Sequence, residues 1–263
     1  MLDLAILSDV GGRWPDMEDA HGQWTSETGE LVFAVADGVG GADGGEVASR
    51  IAITKTLEAY RESPVAWGPV KRLNHAAQEA NVAIHNRALK GAGLARMSTT
   101  LTAAVVADGM LRVVYVGDTR MYLVRGDEAR CLTKDHTVAG ERARLTWVDE
   151  DAVLDDPDRS KLTRSLGTTL IAPLDRLSLK LEAGDQLVLC TDGVYALLHT
   201  QEIGDYCRGQ AAKPAAKSLL AAAKRRNPTD NLTVAVLTVP GTSEPQAPDT
   251  WRDRLFGLLR RGD

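Results

Sequence analysis

Short runs of β-branched and aliphatic residues recur along the whole chain, and most of them end at a glycine or an aspartate. Runs of this length between turn-forming residues are typical of β-strands. The predicted strands are Leu4–Leu7, Leu31–Ala36, Leu101–Ala107, Leu111–Val116, Met121–Val124, Gln186–Leu189 and Leu232–Val239. Because glycine reaches the positive φ of a tight turn, the strands on either side of Asp108-Gly109-Met110 are predicted to form an antiparallel hairpin.

Three further stretches have the 3.6-residue period of amphipathic helices. The predicted apolar faces of the first two consist of Val47, Ile51, Thr54 and Leu57, and of Val70, Leu73, Ala77, Ala80 and Ile84. The third stretch runs from Ala211 to Arg226 and ends before Asn227-Pro228, because proline cannot continue the helical hydrogen bonds. Paired helices among hairpin-linked strands indicate an α+β fold built of packed layers.

The chain has 263 residues, 44% of them hydrophobic and 25% charged, which is typical of a folded globular protein. We predict one domain over residues 1–239. Residues 240–250 are rich in proline and polar residues and are predicted to form a flexible linker. Residues 251–263 are predicted to form a short amphipathic or disordered tail. The segment Thr137–Ser160 is polar and lacks a sustained period, so we expect a surface flap there.

Charge and cysteine content narrow the class of protein further. The formal net charge of -5 argues against a general nucleic-acid binder, which would carry clustered lysine and arginine. The 3 cysteines are odd in number and scattered, which favours reduced thiols over a disulfide framework. No basic leader and no apolar run of membrane-spanning length occurs. We therefore expect a monomeric cytoplasmic protein without a membrane span.

A set of aspartates stands at predicted strand ends or in glycine-rich turns, namely Asp19, Asp37, Asp118, Asp192 and Asp230. A strand end holds a carboxylate on a rigid scaffold, and a following glycine lets backbone or solvent come close. Mg²⁺ and Mn²⁺ prefer oxygen ligands and retain several waters, so carboxylates with gaps between them suit these ions. One such aspartate alone more often caps a turn. The set as a whole predicts a divalent-metal site.

Motifs in a fixed order extend this reading from about residue 8 to 239. They are Arg13–His21, Val35–Gly41, Ser98–Thr102, Val116–Leu123, Leu132–His136, Leu162–Gly167, Cys190–Gly193 and Asp230–Val234. In these motifs and their order, the chain resembles the type 2C, PPM-type family of metal-dependent protein serine/threonine phosphatases, and its bacterial members in particular. The resemblance implies a four-layer αββα sandwich, in which two mainly antiparallel β-sheets pack face to face between helix pairs, with a metal centre at one edge.

The resemblance also implies roles for individual residues. The residues that it assigns to two ions, Mn²⁺ or Mg²⁺, are Asp19, Asp37, Gly38 through its carbonyl, Asp192 and Asp230. It assigns a third, weaker ion to Asp118 together with Asp192. Glu18 and Asn231 are expected to lie beside these ligands and to orient them. Asp37 and Asp192 are thereby also catalytic residues.

Arg13 is the remaining catalytic residue that the resemblance implies, because its planar fork can bind phosphate in a bidentate manner. Six positions separate it from Asp19, one more than is usual in the family. Val39 stands where animal members have a histidine that can act as general acid. No catalytic role is assigned to the histidines of this chain, among them His21, His136 and His199. The expected nucleophile is a water that the cation pair activates.

The implied function is hydrolysis of phosphoserine and phosphothreonine in proteins that a serine/threonine kinase has phosphorylated, including the kinase itself. A cysteine-based phosphatase is excluded, because the residues six positions after the cysteines are Thr137, Ala196 and Lys213 and none is arginine. A two-metal nuclease is disfavoured by the acidic charge. The alternative that stays open is a pseudophosphatase that acts as a binding or regulatory module.

Overall fold

The computed structural model of the chain describes residues 2–12, 16–39, 44–90, 97–146 and 150–241. Arg13, most of the predicted linker and the whole predicted tail lie outside these ranges. The domain boundaries given above therefore stay predictions. Within the described ranges, no helix combines the length and the apolar composition that a membrane crossing requires.

The bounds of the regular elements are as follows. The strands are β1 Asp3–Asp9, β2 Ala20–Thr25, β3 Leu31–Ala36, β4 Gly38–Val39, β5 Ser98–Thr99, β6 Leu101–Ala107, β7 Met110–Val116, β8 Arg120–Arg125, β9 Glu128–Cys131, β10 Asp175–Lys180, β11 Gln186–Cys190 and β12 Leu232–Thr238. The helices are α1 Gly45–Glu62, α2 Gly68–Lys90, α3 Val138–Thr146, α4 Asp192–Tyr195, α5 Thr200–Cys207 and α6 Ala212–Arg225, with 3₁₀ turns at Val65–Trp67 and Glu150–Val153.

The strands form two five-stranded antiparallel sheets, with β4 and β5 as a small additional pair. The first sheet has the order β1-β12-β11-β8-β9 and the second the order β10-β7-β6-β3-β2. The predicted hairpin is confirmed, since β6 and β7 are antiparallel with Leu101 opposite Val116. Its turn residues Asp108 and Gly109 have φ values of 54° and 68°, the left-handed conformation that a two-residue hairpin of this type needs.

Alternating residues of the strands build a core on each side of both sheets. In β3, Val32 and Ala34 face a cluster shared with α1 and α2, whereas Leu31 and Phe33 face the opposite sheet. The outer face of the first sheet packs against α4, α5 and α6 in a separate cluster. Helices thus cover both outer faces of two stacked sheets. The predicted αββα sandwich is confirmed.

The predicted helices occur, but the buried face of α1 differs from the predicted one. Thr54, which was placed on the apolar face, is exposed, and Val47 and Ile51 are only half-buried. The buried face contains the small residues Ala48 and Ala52. Small side chains let α1 approach the second sheet and α2 closely, and this is a packing preference that hydrophobic periodicity does not weigh.

The sequence prediction also missed elements with a weak apolar signal. The strands β2, β9 and β10 were not predicted, and all three lie at sheet edges. An edge strand exposes one face to water, so its sequence can stay polar. The predicted flap Thr137–Ser160 contains α3 and a 3₁₀ turn, which its sequence did not indicate. In α3 only Ala139 and Gly140 are buried, which leaves too narrow a stripe for its period to be visible.

Candidate metal site at the sandwich edge

Both sheets bring their aspartates to one edge of the sandwich. The positions of the predicted metal-binding residues are Asp19 before β2, Asp37 after β3, Asp118 between β7 and β8, Asp192 at the start of α4, and Asp230 before β12. The charges of the other four aspartates all raise the pKa of the Asp37 carboxyl. The structure therefore brings together aspartates that are far apart in the sequence.

The pKa values of these carboxyls are displaced upward in the protein without metal. Burial, followed by the neighbouring Asp19 and Asp192, raises the pKa of Asp37 well above its usual range. Burial likewise raises the pKa of Asp19 to about 7 and that of Asp192 to about 6. The pKa of Asp118 is raised by burial and by Asp192. Ionising all of these carboxyls together is therefore costly in the metal-free protein, and a bound cation would relieve that cost.

Two further observations show that the edge fits a hard divalent cation. The Oδ1 atom of Asp192 is buried and has no hydrogen-bond partner. At Gly38 a Cβ atom would lie 2.2 Å from the carbonyl oxygen of Gly45 and 2.8 Å from that of Glu18, so only glycine fits there. No three acidic, histidine or cysteine side chains of the described residues converge tightly enough to enclose an ion. Backbone carbonyls and water would therefore have to complete the coordination, as is usual for Mg²⁺.

Buried threonines hold the backbone around these aspartates. The Asp37 carbonyl accepts hydrogen bonds from Thr99 Oγ1 at 2.7 Å and from the Thr100 N–H at 2.9 Å. The Asp37 N–H donates to Thr100 Oγ1 at 2.9 Å. Thr191 Oγ1 donates to Asp19 Oδ2 at 2.9 Å. The sequence analysis gave these threonines no role, although the motif Ser98–Thr102 was a signal for two of them.

Asn231 connects three segments beside the aspartates. Its Oδ1 accepts the N–H of Glu18 at 2.7 Å, and its Nδ2 donates to the carbonyls of Val10 and Asp16 at 2.8 and 3.2 Å. Its own N–H donates to Asp230 Oδ1 at 2.8 Å. Burial and the nearby Asp230 raise the pKa of Glu18. Asn231 thus fixes the loop that leads into Asp19, in the position expected of a residue that orients ligands.

A buried ion pair lies directly behind Asp118. The Nε atom of Arg120 is 3.0 Å from Asp135 Oδ1, and its Nη2 atom is 2.8 Å from Oδ2. The guanidinium stacks over the ring of Tyr195 at 4.1 Å and lies 3.7 Å from Asp151 of the flap. Sequence analysis placed Arg120 and Asp135 in motifs but assigned neither a role. Arg120 is thus paired with Asp135, and its charge lowers the pKa of Asp118 only against the larger opposing effects of burial and Asp192.

A pocket of about 280 Å³ adjoins Asp192 and Asp230. The flap forms one wall through Val153, Leu154, Arg159 and Ser160, and α4 with the turn after it forms the other through Tyr195, Ala196 and Leu197. Arg159 tends to lower the pKa of Asp192, against the larger opposing effects of burial and Asp230. The pocket gives the aspartate edge an open side towards solvent.

Comparison with known proteins identifies the family to which a chain with this fold and this set of aspartates belongs. Residues 16–233 match the sequence model of the family described as protein phosphatase 2C. The chain belongs to the protein phosphatase 2C family. This match extends from the loop before Asp19 to Thr233 in β12, and so contains every predicted metal-binding residue. Arg13 precedes the matched range, and its contact with phosphate stays a prediction.

Members of the protein phosphatase 2C family that resemble the chain include bacterial enzymes. It is 26% identical over 245 residues to the protein phosphatase PhpP of Streptococcus pneumoniae, covering 90% of this chain and 98% of PhpP. The solved serine/threonine phosphatase of S. agalactiae superposes with a TM-score of 0.82 at 25% identity, covering 91% of this chain and 100% of that one.

A second solved structure is the catalytic domain of the serine/threonine phosphatase PstP in complex with two manganese ions. It has a TM-score of 0.79 and 28% identity, and the match covers 91% of this chain and 98% of that domain. The curated relatives are named serine/threonine phosphatases or protein phosphatases. The enzyme class predicted from the motifs is thereby confirmed.

Proposed function

We propose that the chain hydrolyses phosphoserine and phosphothreonine in other proteins by using divalent metal ions held at the aspartate edge. The observation that carries this proposal is the buried cluster of carboxylates with raised pKa values, including an oxygen of Asp192 that has no partner. Such a cluster is costly unless cations compensate it. The serine/threonine specificity of the relatives and the manganese pair in PstP support the same reading.

The residues proposed to hold two ions, Mn²⁺ or Mg²⁺, are Asp19, Asp37, Gly38 through its carbonyl, Asp192 and Asp230. Asp118 and Asp192 are proposed to hold a third, weaker ion. Bound ions of this kind supply a water acidic enough to react near neutral pH, and positive charge beside the phosphoryl oxygens. Glu18 and Asn231 are proposed to orient the ligands from behind.

The chain's own residues have three tasks in this proposal. Thr99 and Thr100 fix the main chain of Asp37, and thereby the direction of the Gly38 carbonyl that follows it. Val39 cannot donate a proton, so the leaving alkoxide takes its proton from solvent at the open side of the pocket. Arg13 is proposed to bind the substrate phosphate through its bidentate fork.

The substrates are proposed to be proteins phosphorylated by a serine/threonine kinase, with the kinase itself among them. The charge of the pocket does not select one sequence around the phosphorylated residue, since it combines Arg159 with Asp192 and Asp230. Capture of phosphoproteins from lysate by an Asp192→Ala variant, read by mass spectrometry, identifies the targets.

The test is release of phosphate from p-nitrophenyl phosphate and from phosphothreonine, phosphoserine and phosphotyrosine peptides. We expect activity that requires Mn²⁺ or Mg²⁺ and favours the first two peptides. Asp37→Ala and Asp192→Ala should each lower turnover by more than roughly a hundredfold, since loss of a residue that only supports a ligand already costs about ten- to a hundredfold.

Asp185→Asn is the matched control, because Asp185 is a buried carboxylate at the opposite end of β11. It should retain turnover at a temperature where it is folded. Circular dichroism of the metal-free variants checks that each is folded. Metal-dependent activity that survives in both alanine variants contradicts the proposed site. Absence of activity in the wild-type protein favours the alternative of a pseudophosphatase that binds phosphoproteins.

A further inference from the structure

His136 is a fully buried histidine that the proposed chemistry does not use. Its ring stacks on that of Tyr115 at a centroid distance of 5.4 Å and an angle of 5°. The ring Nδ1 atom of His136 accepts a hydrogen bond from the backbone N–H of Gly117 at 3.0 Å. The backbone N–H of His136 donates to the Gly117 carbonyl, also at 3.0 Å. One residue therefore holds both backbone groups of Gly117, the residue that directly precedes Asp118.

The hydrogen bond from Gly117 determines which ring nitrogen carries the proton. Because Nδ1 accepts, the proton of the neutral ring is on Nε2. Nε2 lies 3.2 Å from Asp175 Oδ2, although the contact is not aligned as a regular hydrogen bond and acts as an electrostatic pairing. Arg144 and Arg164 hold the same carboxylate, at 3.1 and 3.2 Å. Asp175 is thus fixed in place and favours the tautomer in which Nδ1 can accept.

The turn at Gly117 has no room to adjust on its other side. Gly117 has a φ of +98°, and a Cβ atom there would lie 2.5 Å from Thr100 Cγ2. Thr100 in turn accepts the N–H of Asp37 through its Oγ1. Movement of Gly117 would therefore disturb the backbone contacts of Asp37 as well as the direction of Asp118.

The residue before His136 acts on the other flank of Asp118. Asp135 forms the bidentate pair with Arg120, two residues after Asp118. The dipeptide Asp135-His136 thus contacts the chain on both sides of Asp118. His136 itself is 0% exposed, so it is not accessible to a substrate phosphate.

We propose that His136, with its ring oriented by Asp175, is a positioning residue that fixes the Gly117 backbone and thereby the direction of the Asp118 carboxylate. The inference rests on the proposed function, in which Asp118 binds a metal ion. His136 acts through Asp118 and touches neither substrate nor metal.

A series of variants separates this positioning role from mere filling of the core. His136→Phe keeps the ring volume and the stacking on Tyr115 but loses the acceptor, whereas His136→Asn restores an acceptor close to the position of Nδ1. We expect His136→Phe to lower Mn²⁺-stimulated turnover about ten- to a hundredfold and to raise the Mn²⁺ concentration for half-activation, with KM for p-nitrophenyl phosphate nearly unchanged. His136→Asn should recover most of this loss. Asp175→Asn should show a smaller loss of the same kind.

Controls and a metal-free readout keep the test decisive. His75→Phe replaces a partly exposed histidine in the first half of α2. It should change neither the turnover nor the Mn²⁺ concentration for half-activation. In metal-free, ¹⁵N-labelled wild-type protein, the ring resonances of His136 should show a bare Nδ1 and a protonated Nε2. The inference is overturned if Nδ1 carries the proton, or if His136→Phe keeps wild-type turnover and Mn²⁺ dependence, or if His136→Asn is as impaired as His136→Phe.

Failure of the inference is distinguishable from failure of the proposed function. If wild-type protein shows no metal-dependent activity, the proposed function fails, and the positioning role fails with it. If wild-type protein is active but the variants do not differ as described, only the role of His136 fails. Where His136→Phe does not fold, Asp175→Asn decides, because Asp175 is partly exposed and its replacement leaves the core intact.

Discussion

Asp185 and Asp192 stand beyond opposite ends of β11, and the protein treats their charges differently. Asp185 is 1% exposed and forms a bidentate pair with Arg125, with N–O distances of 2.8 and 2.7 Å. It also accepts the N–H of Glu182. Asp192 has a buried oxygen without a partner and neighbours that are themselves acidic. Asp185 thus has a counter-charge in direct contact, whereas no described residue forms an ion pair with Asp192.

Two other carboxylates, the partly buried Glu30 and the buried Asp135, follow the pattern of Asp185. Glu30 is paired with the buried Arg72 at 2.7 Å, and Asp135 with Arg120 at 2.8 Å. Each of these three carboxylates thus has an arginine partner within the fold. Among the described residues, the ion pairs leave out Asp19, Asp37, Asp118 and Asp192. The described part of the chain thus pairs Asp185, Glu30 and Asp135 with arginines and gives no such partner to these four carboxylates.

The largest difference between the two ends of β11 is expected when a buried amide side chain is removed, Asn231 near Asp192 or Gln186 beside Asp185. Asn231→Ala removes the contacts that fix the loop before Asp19, so Mn²⁺ affinity and turnover should fall about ten- to a hundredfold. Gln186→Ala, at the Asp185 end, removes bonds to Gln210 and Thr238 and should lower stability alone. Calorimetric Mn²⁺ titration and steady-state kinetics measure both. Equal loss of Mn²⁺ affinity in the two variants would contradict the proposal that only the Asp192 end of β11 binds metal.

The next largest effect is expected when the charge of Asp185 or of Asp192 is removed. The free energy of unfolding should change in opposite directions in the two variants. Asp185→Asn leaves Arg125 without its bidentate partner and should lower the free energy of unfolding by about 1–3 kcal/mol. Asp192→Asn removes a repelled charge and should raise that of the metal-free protein by on the order of 1 kcal/mol at neutral pH. Urea unfolding in EDTA measures both values. Destabilisation by Asp192→Asn in EDTA would show that this charge is already compensated within the chain.

The smallest effect is the pH dependence of the metal-free protein. The pKa of Asp19 is about 7 and that of Asp192 about 6 in the folded state, against a usual value of 3.8. The folded state then binds more protons than the unfolded state between these values, so these groups lower stability as pH rises. Acidification from about pH 7.5 to about 5.5 should raise the unfolding temperature in EDTA.

Saturating Mn²⁺ should reverse this trend, because bound cations favour the ionised carboxylates. Differential scanning fluorimetry across that pH range, with EDTA and with Mn²⁺, provides the measurement. Asp19→Asn removes one of the two groups and should flatten the slope in EDTA. A metal-free protein that becomes steadily more stable with rising pH would contradict the raised pKa values of Asp19 and Asp192.

The sequence predicted the layers and the aspartate edge because both depend on local patterns. Buried strands such as β3 and β6 are continuous apolar runs, and the aspartates directly flank strands or turns. The face of α1 and the edge strands could not be predicted, because they depend on which neighbour packs against them. The clamp of His136 on Gly117 joins residues that are 19 positions apart in the chain. Only the packing of β7, β8 and the segment after β9 brings these two residues together.

The pairing of β1 with β12 has a consequence for the order in which the protein is made. Asp3 lies opposite Thr238, so β1 is made well before the strand that it pairs with, and the first sheet cannot close until β12 is present. Asp230 lies two residues before the start of β12 and reaches the aspartate edge in the same step. A growing chain therefore carries an unfinished edge until residue 238 has emerged. The aspartate edge is thus completed late, together with the first sheet.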